Sequence, residues 1–319
     1  MQAAVTWTPG DVNIAQKKGG LVSIVSTKEY ASQMPHVIIG IDKWMKANRP
    51  IVEGMLKAMM EGSEKVASDP AMLQQASAIS AKVYNEQDAA YWAKYYKGVQ
   101  EADKAGVTVD LGGSAVNNLA DNLLWFGLKQ GAANKFAATY QQFGDIVVKQ
   151  YPKLIASYDP APQITDTSYL QNLAGSMTAS APVGDTKPPT TNSTTPGGKK
   201  APVLSSGNWD IHFDTGKDTI RAESRRTLES LMRTLVIASS TTVEIHGHTD
   251  NKGNHDANYK LSEARAFAVK DWLEKKYPVN FPQGRIQAIA HGPDMPIGRN
   301  DTEDGRAKNR RVQIVIRGN

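Results

Sequence analysis

Between residues 177 and 206 Ser, Thr, Pro and Gly dominate the chain, with Pro188-Pro189, Thr190 to Thr195 and Pro196-Gly197-Gly198 at its centre. Such a composition cannot bury enough apolar surface to offset the entropy of ordering it, so it reads as a flexible linker, extended where proline is dense. The run constrains the fold more than any other feature, because it forces a core on either side. At 319 residues the chain is long enough for both. The expected organisation is a helix-rich α/β domain at 1–176, the linker at 177–206 and a second α/β domain at 207–319.

The amino-terminal part opens with short apolar segments at Ala3 to Trp7, Leu21 to Val25 and His36 to Ile41, which read as strands. Helical patterns then dominate. Asn48 is placed to cap a helix with Pro50 in its first turn, and Val52, Met55, Leu56, Met59 and Met60 recur at three-to-four spacing as its core face. Further helices are predicted at Pro70 to Tyr84, Glu86 to Gln100, Ser114 to Lys129 and Ala132 to Gln150, with Asp110 to Gly113 as a turn. Trp44, Trp92 and Trp125 fall in helical patterns as packing residues.

Beyond the linker, Trp209, Ile211 and Phe213 alternate with polar residues as a half-buried strand does. Leu228, Leu231, Met232, Leu235 and Val236 mark one helix face, and Val243, Ile245 and Gly247 a second strand. Leu261, Ala264, Ala268 and Trp272 mark a second helix face. Ile286, Ala288 and Ala290 make a third strand, a polar loop follows to Asn309, and Val312, Ile314 and Ile316 make a fourth. The order β-α-β-α-β-β predicts helices packed on a small mixed sheet.

Composition narrows the function. The 37 Lys+Arg against 32 Asp+Glu leave a net charge of +5 dispersed along the chain, which argues against nucleic acid. No window approaches the apolar length of a membrane-spanning helix, and the first residues lack the pattern of a signal peptide. With no cysteine, disulfides, cysteine-ligated zinc and thiol catalysis are excluded.

The densest chemistry lies at His246-Gly247-His248-Thr249-Asp250-Asn251-Lys252-Gly253, where a strand hands over to a helix carrying Asn258, Leu261-Ser262 and Arg265-Ala266. His246 and His248 share one strand face, the spacing of a metal pair, but a third ligand at suitable spacing is missing. His248, Asp250 and Ser262 suggest a triad, yet no nucleophile elbow surrounds the serine. A glycan or peptide hydrolase would need a carboxylate pair, a metal or a nucleophile, and none is visible. Asp250 and Arg265, fifteen positions apart, together offer an anion and a planar donor fork, which suits a ligand bearing one ammonium beside one carboxylate. Alternatively the two bridge each other, or Arg265 caps a loop carbonyl.

With Phe213-Asp214, Gly247-His248-Thr249-Asp250, the Asn258/Leu261-Ser262/Arg265-Ala266 series and Gly305-Arg306-Ala307-Lys308-Asn309-Arg310-Arg311 all in order, residues 207–319 resemble the OmpA/MotB carboxy-terminal domain. The resemblance implies a non-catalytic, cofactor-free periplasmic module of a Gram-negative envelope that holds the diaminopimelate of the peptidoglycan stem peptide. It places direct ligand contacts at Asp250 and Arg265, with Thr249, Asn258, Thr215 and Gly216 as neighbours and Arg310 near the pocket.

The opening Ala3-Ala4-Val5-Thr6-Trp7-Thr8-Pro9, the segment Leu21 to Lys28 and the run Val37-Ile38-Ile39 leading to Asn48-Arg49-Pro50 resemble part of the second lobe of a type 2 periplasmic solute-binding protein of the sulfonate, nitrate and thiamine-precursor group. This implies a truncated domain with Trp7, Thr8, Ser26 and Thr27 as its solute contacts. An alternative function follows, the substrate-binding component of an ABC-type importer anchored to the wall. A stator or outer-membrane protein without its membrane segment is a further reading.

Overall fold

The computed structural model describes residues 6, 10–20, 37–113, 117–177, 180–183 and 201–318. They group into two compact units, one taking the described parts of 1–26, 38–122 and 168–186, the other those of 27–37, 123–167 and 187–319.

The first unit is built from helices α1 (Gly10–Lys17), α2 (Asp42–Ala47), α3 (Arg49–Ser68), α4 (Pro70–Tyr84) and α5 (Ala89–Lys97), and a hairpin of β1 (Val99–Ala102) and β2 (Thr108–Leu111). α4 begins as its sequence dictates, with the Asp69 carboxylate accepting the Ala71 N–H and Pro70 in the first turn. Asn48 precedes α3, but its side-chain amide donates backward to the Trp44 carbonyl and gives no side-chain cap.

Several expectations change here. Of the α3 methionines only Met60 is buried; Met55 and Met59 are exposed at 44% and 53%, because Val52 and Met60 define the buried face. Trp44 is likewise 53% exposed. Residues 37–41 form no strand, and the other two predicted strands lie outside the described residues. The turn expected at Asp110 to Gly113 is displaced, since Asp110 and Leu111 end β2. Helix α6 (Leu119–Trp125) is shorter than the span predicted for it.

In the second unit, α7 (Lys135–Gln150) and α8 (Ala161–Ile164) precede the sheet, while α9 (Ser168–Ser176) belongs to the first unit. The sheet runs β3 (Val203–Trp209), α10 (Arg225–Ile237), β4 (Thr242–His248), α11 (His255–Lys276), β5 (Ile286–Gly292), α12 (Glu303–Asn309) and β6 (Val312–Arg317). The mixed order is β3-β6-β4-β5: β4 and β5 run parallel, joined by α11, and β6 lies antiparallel to both β3 and β4. The polar loop before β6 contains α12, capped by the Thr302 hydroxyl on the Gly305 N–H. β3 opens at Val203, inside the segment expected as linker, and Phe213 pairs with Ile220 in an isolated bridge instead of extending the strand.

Leu228, Leu231 and Leu235 of α10, Val243 and Ile245 of β4, Ile286 of β5 and Ile314 of β6 form one core. Residues 123–167, expected with the amino-terminal half, attach to it: Ala133 and Ala138 are buried in the same cluster, and the Ala133 N–H donates to Asn280 Oδ1 at 2.6 Å. α11 is rotated by one position from its predicted face. Ser262, Ala266, Val269 and Leu273 are buried, while Leu261, Ala264, Ala268 and Trp272 are only partly so. Gly247 supplies the reason. A Cβ there would collide with the Ser262 carbonyl, so α11 lies directly against β4 with small side chains at the seam.

Arg285 is fully buried, yet donates to four backbone carbonyls: Leu235 at 2.6 Å, Ala238 and Asn280 at 2.7 Å and Thr241 at 3.1 Å. Burial lowers its pKa to about 9, which leaves it charged at neutral pH. Arg285→Met should abandon these carbonyls in the interior and cost about 3 kcal/mol or more of stability. Urea denaturation checks this; an unchanged midpoint would mean that water replaces the guanidinium.

Candidate functional site

Four segments meet at the carboxyl end of β4: the β4–α11 turn, the first turns of α11, the 213–220 loop and α12. The turn begins where β4 ends. The Thr249 N–H donates to the Gly292 carbonyl at 2.9 Å, and Asn258 Nδ2 reaches back to the carbonyls of Asp250 at 3.3 Å and Lys252 at 2.8 Å. Asn254 caps α11 by accepting the Ala257 N–H. Ser262 donates to the Tyr259 carbonyl and accepts the Gly292 N–H at 2.9 Å, clipping α11 to the end of β5. That geometry makes Ser262 a structural clip and removes the triad.

Asp250 is nearly buried, at 9% exposure. Its Oδ1 accepts the Lys252 N–H at 3.0 Å, and its Oδ2 accepts from Arg310 Nη1 at 2.6 Å. Arg310 extends from the end of α12 and also donates through Nη2 to Glu303 at 2.7 Å, while Glu303 takes Arg306 at 2.6 Å. Hydrogen bonds donated to Asp250, then to Glu303, hold the Arg310 pKa above its ordinary value. Glu303 is pushed below the usual carboxylate range by Arg310 first and Arg306 second.

Arg265 takes a different partner. Its Nε–H donates to the Lys217 carbonyl at 3.0 Å, and its guanidinium lies 5.1 Å from the centre of the Phe213 ring. Burial, and then the charge of Arg310, lower its pKa, with Asp250 and Asp218 acting in the opposite sense. Among the described residues no carboxylate lies within ion-pairing distance of it. Asp250 and Arg265 therefore feel each other's charge without bridging. The loop that supplies the Lys217 carbonyl carries Thr215 and Gly216 at its exposed tip, and Gly216 takes a positive φ of 67° that favours glycine.

The structure thus gathers Asp250, Arg265, Thr249, Asn258, Thr215, Gly216 and Arg310 around one strand end. Trp7, Thr8, Ser26 and Thr27 lie outside the described residues. Glu303, Lys217 and the motif residue Phe213 join the cluster, none of them expected there as a site residue. Glu303 carried one signal, its place seven residues before Arg310 at the mouth of a capped helix.

The histidines occupy the opposite side of the strand from the core. His246 Nδ1 lies 2.7 Å from His291 Nε2, and both His246 and His248 stack on the His291 ring at 5.0 and 4.8 Å. Glu244 approaches both His246, at 3.2 Å, and Arg317, at 2.9 Å.

A cluster of charged side chains at the strand ends of a mixed sheet, with helices packed on that sheet, marks a small α/β module. Residues 212–310 match the OmpA family, and the chain carries an OmpA family domain there. Outer membrane porin F of Pseudomonas aeruginosa is 37% identical over 107 residues, covering 34% of this chain and 30% of that protein. Outer membrane protein A of Bordetella avium is 38% identical over 111 residues, or 35% of this chain and 56% of its own. The chain thus spans only about a third to just over half of the length of these relatives. Among solved structures, the cell wall anchor of the type VI secretion system of Pseudomonas aeruginosa is 30% identical, over 34% of this chain and 75% of that one, with a TM-score of 0.30.

His248 gives the unit a pH dependence. Burial, then Arg311 and His291, lower its pKa from 6.5 to about 3. The unfolded chain takes up this proton near pH 6.5 while the native one does not, so stability is complete above about 6.5 and falls as pH drops toward 3. The expected slope is up to about 1.4 kcal/mol per pH unit. Denaturation midpoints at pH 7.5 and 4.5 should differ accordingly, and His248→Gln should flatten the difference.

Proposed function

We propose that the carboxy-terminal domain is a non-catalytic peptidoglycan-binding module of the bacterial envelope, which grips the free amino acid centre of diaminopimelate between Asp250 and Arg265. The observation that carries this reading is the state of Arg265. A half-buried guanidinium stands beside a second arginine with its Nε on a carbonyl, and its terminal amino groups face no carboxylate among the described residues. A ligand carboxylate supplies the missing charge through a bidentate contact. Asp250, already oriented by Arg310 and the Lys252 N–H, keeps lone-pair capacity for the ligand ammonium. Arg310 then acts by orienting Asp250, Asn258 by fixing the turn, and Thr215 and Gly216 by carrying the loop that bears on Arg265.

The family match at 212–310 supports the reading, as does the similarity to outer-membrane proteins. A wall-bound domain would tether the amino-terminal unit of the chain and raise its local concentration at the wall.

Asp250→Ala and Arg265→Ala should each reduce co-sedimentation with purified sacculi at least tenfold, while circular dichroism and melting temperature show the fold retained. Undiminished sedimentation of the double variant would remove the proposal.

A further inference from the structure

We propose that the face of α11 running from Arg265 to Trp272 is a second subsite, for the amino-sugar portion of the same polymer; it rests on the reading that Asp250 and Arg265 hold diaminopimelate. Arg265, Ala268 and Trp272 follow one another at i, i+3 and i+7, on one side of the helix. The one-position rotation of α11 leaves Ala268 and Trp272 only partly buried. Across from them the 213–220 loop returns, and between lies a shallow cavity of about 420 Å³. Ile220, Ala268 and Trp272 form its bed, with Asp218, Asp271 and Lys275 around it.

The indole is fixed in place. It packs partly against the core, the Lys276 ammonium lies 4.8 Å from its ring centre, and Tyr277 meets it edge-on at 6.4 Å. A rigid aromatic ring on an apolar bed, with carboxylates and ammonium groups at the rim, fits a pyranose. The C–H face of the sugar lies on the indole surface that the Lys276 ammonium leaves uncovered, and its hydroxyl and acetamide groups reach acceptors and donors at the edge. Asp218 and Asp271 would repel a polyanion.

The two subsites are contiguous. Asp218 lines the cavity and also raises the Arg265 pKa by its charge, and Lys217 next to it holds the Arg265 Nε–H. Their spacing suits the ligand. Seven residues of helix advance about 10 Å. Diaminopimelate is the third residue of a stem attached to the muramyl sugar, so the sugar lies about three residue lengths, roughly 10 Å, away. A stem anchored at Arg265 presents its sugar to Trp272 as an intramolecular contact.

The test is isothermal titration calorimetry on the full chain with three probes: free meso-diaminopimelate, the disaccharide-tripeptide of peptidoglycan, and peptide-free tetra-N-acetyl-chitotetraose. The disaccharide-tripeptide should bind about tenfold tighter than diaminopimelate. Trp272→Ala should erase that tenfold difference and leave diaminopimelate affinity unchanged, whereas Trp272→Phe and Arg265→Ala should retain chitotetraose binding. Equal wild-type affinities for the first two probes, or a ratio untouched by Trp272→Ala, overturn the sugar subsite. So does a Trp272→Ala phenotype confined to self-association in sedimentation, which would assign the groove to a second copy. Wild-type protein that binds chitotetraose through Trp272 but not diaminopimelate would support the sugar subsite and overturn the reading of Asp250 and Arg265.

Discussion

The buried guanidinium of Arg285 is the contact on which the carboxy-terminal unit depends. Helix α10 ends with carbonyls that face the interior where water cannot reach them, Ala238 accepting also from the Thr241 N–H and hydroxyl. Arg285 gives them a charged donor: it joins Leu235 and Ala238 at the end of α10 to Thr241 just before β4 and to Asn280 ahead of β5. Burying a charge costs several kcal/mol, but charge-assisted bonds contribute about 1.5–3 kcal/mol each, and a cation at a helix carboxyl terminus also meets the favourable end of its dipole. One side chain thereby sets the angle at which α10 leaves the sheet and the height at which β4 enters it. Asn280, whose carbonyl accepts from Arg285, uses its side chain to hold Ala133, so residues 123–167 are tied to the same point.

From that fixed start β4 carries the chain through the core to Asp250, and the approach of α11 at Gly247 decides what stands opposite. Because Ser262 lies directly against Gly247, the helix is near enough for Arg265 to share a field with Asp250, yet turned so that its guanidinium meets the Lys217 carbonyl and the Phe213 ring. The aspartate is claimed by Arg310 from α12. Two arginines flank the Asp250 carboxylate, and Glu303 takes the second amino group of Arg310, so Arg265 alone of the pair has no carboxylate partner among the described residues.

Much of the unit was legible. The strand alternation, the α10 face and the order of elements all follow from periodicity, because burying one face of a strand or helix writes a period of two or of about 3.6 into the chain. Helix starts were legible where a cap residue and proline coincide, as at Asp69-Pro70. Less was legible where apolar residues outnumber the buried positions. α3 offers five candidates for its core face but buries only Val52 and Met60, and methionine suits either side of such a boundary. Arg285 is the opposite case, a charged residue that no hydropathy pattern would place at the centre of a core.

The sequence by itself determined that a βαβαββ unit follows the Ser/Thr/Pro/Gly-rich run, and that Asp250, Asn258, Arg265 and Arg310 stand in it within a series of motifs that resembles one family's. Those are properties of local order, and local order survives in a string of letters. Only the tertiary structure decided that Asp250 pairs with Arg310 and not with Arg265, that Arg265 takes a loop carbonyl, that residues 123–167 join the second core, and that α11 turns by one position to free Ala268 and Trp272. Each of these depends on where a helix comes to rest against a sheet. That is settled by the missing Cβ at Gly247 and the carbonyls around Arg285, contacts between residues whose separation in the chain carries no signal of their meeting.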